Sequence, residues 1–188
     1  MRLQPATREA FPENLVYVYD RMAGGAQPGG APGKLMNIFA ALGNNPELLR
    51  AYLRLGNGLW ASCGLDVPTR ELAILRAAVL AHSAYEWHQH VRIGREAGLS
   101  DERILALHQW KPSGLFNDLE RAVLAYADAL AAGDHPPQDV HDELAKQLPP
   151  AAVVGVNLLV GFYAMTARFL AAMEVEPEEN FVGWQLEG

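Results

Sequence analysis

Three observations predict an all-α fold for this chain. Apolar residues recur at three- and four-residue spacings, no stretch alternates strictly between hairpin turns, and proline and glycine punctuate segments of helical length. Short helices are expected over residues 13–22 and 35–42, separated by AGGAQPGGAPGK, a flexible connection suited to an arm or lid. Pro46 opens the next helix, to about residue 61, and the break GLDVP leads into a helix over about 69–81. Ser83 starts a helix that Gly98 ends, and Ser100-Asp101-Glu102 begin another with acids in its first turn. Asn117 and Glu120 form a capping-box pattern for a helix to about residue 132, Pro136 opens one more, and Pro149 the last.

At 188 residues and 50% hydrophobic content the chain is long enough for one full core. Residues 1–34 read as an N-terminal arm with a Gly/Pro-rich loop, and 35–188 as the helical domain. The formal charge of −7 comes without a basic run, so nucleic acid is not an expected partner. One cysteine, Cys63, excludes an intrachain disulfide framework and any C-x-x-C motif, and fits a reducing cytoplasm. The N-terminus MRLQPATREAFPENL has no apolar signal core, so no export is expected. Residues 151–173 are apolar for almost the length of a membrane span. Asn157 and Arg168 inside that run favour a buried helix over a span, and a helix apolar all round suits a large core or a subunit interface. A homo-oligomer outside the membrane follows as an expectation.

The segment RELAILRAAVLAHSAYEWHQHVRIGREAGL sets two carboxylates and a histidine on adjoining helical turns amid apolar residues. Glu86 and His90, four apart, share one helix face. Glu71 lies on a stripe with Leu75, Ala78 and His82. Each has a plainer reading: Glu71 complements a helix dipole, Glu86 completes the S-x-x-E capping box with Ser83, and His90 is a hydrogen-bonded core histidine. His88 falls with Arg92 and Arg95 on the wetter face and is not a candidate. Tyr85 and Trp87 bracket Glu86, to line a pocket or to fill the core. Glu71, Glu86 and His90 are possible metal ligands by type, but no H-E-x-x-H or cysteine pair fixes a site, and neither metal nor cofactor is expected. Cys63 reads as a small apolar residue at a helix end. Two carboxylates and an imidazole among aromatics push each other's pKa values apart, which suits proton transfer next to a carbonyl.

The blocks MNIFAALGNNPELLRAYL, RELAILRAAVLAHSAYEWHQHVRIGREAGLSDERI and LVGFYAMTARFLAAM resemble, in order, those of the carboxymuconolactone decarboxylase family, which includes the alkyl hydroperoxidase D-like proteins. The resemblance implies an alkyl hydroperoxidase D-like helical bundle, here with an N-terminal helical extension, assembled as a dimer, trimer or hexamer. In the peroxidase branch a glutamate is followed twelve residues later by C-x-x-C-x-x-x-H. Carried onto this chain the glutamate is Glu71 and the histidine His90, while the cysteine positions fall on Ser83 and Glu86. A hydroxyl and a carboxylate do no thiolate chemistry. The decarboxylase branch also lacks the cysteines and has an E-x-x-x-H like Glu86 and His90. On that likeness His90 is expected as principal proton donor or acceptor, Glu86 as its orienting or protonating partner, and Glu71 as the second acid or base. Ser83, Tyr85, Trp87, Tyr163 and Arg168 are the expected substrate contacts, Arg168 for a substrate carboxylate and Tyr163 for a carbonyl. The expected function is a cofactor-free decarboxylase or isomerase acting on a small carboxylated, lactone or carbonyl compound. The alternatives are a peroxidase working through Cys63 and a noncatalytic oligomeric binding protein.

Overall fold

A computed structural model describes residues 1–24, 33–133, 135–178 and 181–186. It is all-helical: among these residues there are nine α-helices and no strand. They are α1 Val16–Gly24, α2 Asn37–Leu42, α3 Pro46–Ser62, α4 Val67–Leu80, α5 Ala84–Glu96, α6 Asp101–Ala106, α7 Asp118–Ala132, α8 Gln138–Gln147 and α9 Pro150–Met173. Most of the Gly/Pro-rich connection after α1, expected as an arm or lid, lies outside the described residues.

Caps set most helix starts as the residue types require. Asn45, Asp66, Ser83, Ser100 and Asn117 each accept a bond from a backbone N–H in the first turn, and Glu120 returns the bond to Asn117 to complete a capping box. Some boundaries move. Residues 13–15 form a 3-10 turn, so α1 begins at Val16, and Asp66 caps α4 two residues earlier than the sequence suggests. Pro136 does not open α8, because the proline that follows it disfavours helical backbone; Pro137 is the extended cap and the helix starts at Gln138. Gly98 supplies the left-handed turn (φ 91°) that closes the end of α5.

α4 is the central element. Leu72, Ala73, Ile74 and Leu75 are all fully buried, because α4 packs against α5, α7 and α9 at once. On one side Ala73, Ile74 and Ala77 meet Val123, Tyr126, Val156 and Leu159. On the other, Leu72, Leu75 and Ala78 meet Trp87, Val91, Ile104 and Leu107. The N-terminal segment packs Phe11, Leu15 and Val18 on Leu49 of α3. Residues 150–173 are long and apolar enough to cross a bilayer, yet half of the most apolar window is buried within this one chain, and Asn157 bonds the Tyr126 hydroxyl. Val154, Leu158 and Met165 on its other side are exposed.

The contact of α9 with the end of α3 is tight. A Cβ built on Gly155 would lie 2.2 Å from the carbonyl oxygen of Cys63, a backbone atom with no side-chain freedom to move away. Gly58, on the exposed side of α3, has nothing within 4 Å of such a Cβ. Gly155→Ala is therefore expected to destabilise by about 1–3 kcal/mol, lowering Tm by roughly 3–10 °C. Gly58→Ala gains up to about 1 kcal/mol of helix propensity and raises Tm. Thermal melts of the two variants check both signs.

Candidate active site

The connection from α4 to α5 is three residues long, with His82 in left-handed backbone (φ 49°), and it folds α5 back along α4. That reversal sets Glu71 of α4 against His90 of α5. With Glu71 ionised, the imidazole supplies the proton: His90 Nδ1 donates to Glu71 Oε2 at 2.7 Å. His90 Nε2 stands 3.5 Å from Oε2 of Glu86, one turn back on the same helix. The other oxygen of Glu71, Oε1, accepts from Arg70 Nε at 3.1 Å and Nη2 at 3.0 Å. Arg70 Nη1 donates to the Trp60 carbonyl at 3.0 Å, and its guanidinium lies 4.4 Å from the centre of the Trp60 ring. Tyr163 of α9 meets His90 edge-on, with ring centres 5.0 Å apart, and its hydroxyl accepts from Trp60 Nε1 at 2.8 Å.

A cavity of about 570 Å³ opens beside this group. Glu86, His90, Tyr85 and Tyr163 line it; Glu71 is fully buried behind His90 and does not. Most of the wall is apolar or aromatic, from Val18, Met36, Ile38, Phe39 and Phe162. Gln89 also lines it, and Tyr85 and Gln89 both donate to the carboxylate of Glu178, at 2.7 Å each. Among the described residues no cluster of three or more His, Cys, Asp or Glu is placed to hold a metal ion.

The electrostatics differ sharply among the three ionisable groups. Burial pushes the Glu86 carboxyl up to about 7; the charge of Glu71 adds to the rise and His90 opposes it. Burial alone would also raise Glu71, but His90 and Arg70 together hold it below the ordinary glutamate value. Burial alone would lower His90, and the bond and charge of Glu71, helped by Glu86, raise it instead. Burial likewise keeps the Tyr163 phenol protonated, well above its usual value. The site thus favours the carboxylate form of Glu71 and the charged imidazolium form of His90, while Glu86 holds its proton up to about 7.

Three expected residues lie elsewhere. Ser83 caps α5, accepting from the Glu86 backbone N–H at 3.4 Å, and does not line the cavity. Only this half of the capping box forms, because the Ser83 N–H is used by the Ala78 carbonyl and the Glu86 carboxylate faces His90. Trp87 is fully buried on the opposite side of α5, where its indole donates to the Gly183 carbonyl at 3.0 Å and packs on His108 and Trp184. One residue beyond Glu86 is about 100° round the helix, which turns it away from the cavity. Arg168 is exposed, since five residues past Tyr163 leaves it on another face of α9. The orienting contact on the imidazole comes from Glu71 across helices, not from Glu86. Cys63 is buried at the end of α3 and does not line the cavity. Trp60, Arg70, Tyr52 and Gln89 are site residues that the sequence did not single out. Trp60 and Tyr52 lie on an amphipathic helix where aromatic residues read as core, and Arg70 adjoins Glu71, a spacing at which helical side chains normally diverge.

The raised Glu86 has a consequence for stability. An unfolded glutamate ionises near 4.5, whereas the native one keeps its proton to about 7. Between those values the native state binds more protons, so rising pH removes stability on the order of 3 kcal/mol. Glu86→Gln cannot ionise and escapes this loss. Its Tm relative to the parent is expected to rise by several degrees, roughly, from pH 5 to pH 8; a difference that is flat or falling in melts at the two pH values overturns the assignment.

Residues 46–129 match the carboxymuconolactone decarboxylase family. The uncharacterized protein YnjA of Escherichia coli (strain K12) is 31% identical over 86 residues, which is 45% of this chain and 47% of that protein, so the match spans about half of the relative. The fold is shared with solved structures over nearly the whole chain. An alkylhydroperoxidase AhpD core, an uncharacterized peroxidase-related protein from Ralstonia eutropha JMP134, superposes with TM-score 0.80 at 16% identity, covering 98% of this chain and 96% of that one. The apo debrominase Bmp8 gives TM-score 0.78 at 23% identity, with 97% and 95% covered, and a Bmp8 variant bound to 2,3,4-tribromopyrrole gives 0.72 at 21%, with 95% and 92% covered. The chain thus has the fold of the AhpD core, and its residues 46–129 match the carboxymuconolactone decarboxylase family without a C-x-x-C cysteine pair.

Proposed function

We propose that the chain is a cofactor-free acid–base enzyme that decarboxylates or isomerises a small carbonyl or lactone compound. The observation that supports this reading is His90, fixed at Nδ1 by the buried Glu71 and presenting Nε2 to the cavity beside Glu86. Glu71 and Arg70 are positioning residues: Glu71 holds the imidazole in one orientation and favours its charged form, while Arg70 fixes the other oxygen of Glu71 and its own charge opposes protonation of His90. His90 and Glu86 are the catalytic pair. A carboxyl titrating near 7 next to an imidazolium divides base and acid between two groups at neutral pH.

In decarboxylation the C–C bond to the carboxylate breaks, carbon dioxide leaves, and the electron pair enters the adjacent carbonyl as an enolate. The proton of His90 Nε2 or of Glu86 then goes to carbon. In isomerisation the Glu86 carboxylate takes a proton from one carbon and His90 returns one to another. The phenol of Tyr163, protonated and in the cavity wall, is suited to donate to the developing enolate oxygen. The match of residues 46–129 to the carboxymuconolactone decarboxylase family supports a lyase of this type. The debrominase bound to a brominated pyrrole supports a small planar substrate in this fold. A peroxidase route has no support in the geometry, because Cys63 is buried away from the cavity and the family's two thiol positions hold Ser83 and Glu86.

The test is carbon dioxide release and proton exchange into product over a panel of lactone carboxylates and β-keto acids. On any substrate turned over, His90→Gln is expected to lower kcat by about 10²–10⁴-fold. In the parent enzyme, activity should change through pH 7 with a limb that Glu86→Gln removes. Turnover within a few-fold of the parent in His90→Gln, or a limb that persists without Glu86, overturns the reading.

A further inference from the structure

The cavity is charged in a way that the proton-transfer pair does not explain. Three arginines, Arg21, Arg50 and Arg54, line it against one carboxylate, Glu86, in a chain whose formal charge is −7. Glu86 and His90 are buried at its inner end, whereas Arg21 and Arg54 are exposed at its outer end. The acids nearby in sequence are already engaged. Asp20, the one acid of α1, makes a two-pronged pair with Arg8 at 2.7 and 2.8 Å. Glu47, the one acid of α3, is held by Arg50 at 2.7 Å. Among the described residues neither Arg21 nor Arg54 is in an ion pair.

The spacing follows from the helix. Arg50, Arg54, Asn57 and Trp60 follow one face of α3 into the cavity. Trp60 marks the inner end, its ring centre 6.1 Å from that of His90. Six residues of helix rise separate Trp60 from Arg54, about 9 Å along the axis. Between the ends the wall is apolar: Leu53, Val18, Met22, Ile38 and Phe162.

We infer that the substrate is an elongated, apolar molecule ending in an oxyanion, which Arg21 and Arg54 hold at the outer end of the cavity, away from the atoms that His90 and Glu86 address at the inner end. The anion clamped here is remote from the chemistry and survives it. Guanidinium groups suit that task, since they stay charged at every working pH and bond oxyanions through a fork of N–H donors. The inner end of this assignment rests on the proton-transfer reading, while the clamp itself stands on the arginines.

Isothermal titration of the full chain with 4-phenylbutanoate, 3-phenylpropyl phosphate and the neutral 4-phenylbutanamide tests it. At low salt at least one anion is expected to bind about tenfold or more tighter than the amide, with the tighter naming the headgroup, and 0.5 M salt should erode the difference. Arg21→Gln and Arg54→Gln should each weaken the anion about fivefold and leave the amide unchanged, and Arg54→Lys should restore part of the loss. Both positions are exposed, so melts are expected to confirm intact folding. Equal affinity for anions and amide, no loss in Arg21→Gln/Arg54→Gln, or no binding of any probe at millimolar concentration overturns the inference. Binding is read without turnover, so failure of the acid–base reading leaves this result standing, and the reverse holds.

Discussion

A carboxylate with no solvent exposure, Glu71, is the constraint around which the site is built. Placing such a charge in the interior is costly unless its oxygens are fully bonded and a counter-charge lies close. Glu71 meets both conditions, with Arg70 on one oxygen and His90 on the other. Arg70 is in turn tied to the Trp60 carbonyl and stacked on its ring, so the end of α3 joins the same network. The imidazole cannot rotate without leaving Glu71 half-bonded. The rigid part of the site therefore lies behind the cavity wall, and the part that titrates near neutrality, Glu86, lies in it.

The scaffold that allows this is the antiparallel packing of α4 and α5. α4 is buried on every side, so its position is determined by contacts with α5, α7 and α9 together. The connection through His82 is short and adopts left-handed backbone at a non-glycine residue, a conformation that surrounding structure must enforce. Given that turn, Glu71 and His90 face each other although nineteen residues separate them.

The cavity draws on elements from both ends of the chain. α1, α2 and α3 supply the apolar and cationic wall, and α5 and α9 the reactive one. Glu178, after α9, draws these parts together by accepting from the backbone N–H of Asn37 at 2.6 Å as well as from Tyr85 and Gln89. It caps the start of α2 and orders two cavity residues of α5 with one side chain.

Period and punctuation in the sequence were enough to determine the helical class, most helix starts and the pairing of Glu86 with His90, because these depend on contacts within one or two turns. The same segment placed Glu71 one helix earlier among the candidates, and the family blocks matched it with His90. What local pattern left undecided was the direction of each polar side chain. Ser83-x-x-Glu86 spells a capping box, yet the Glu86 carboxylate faces His90, and no local rule chooses between the two. Trp87 and Arg168 share segments with site residues but leave on other helix faces, and Arg70 joins Glu71 only because both are buried against the end of α3. Tertiary structure decided these, for a physical reason: in the interior an ionisable group goes where its charge is bonded, and that partner is brought close by helix packing and not by spacing along the chain.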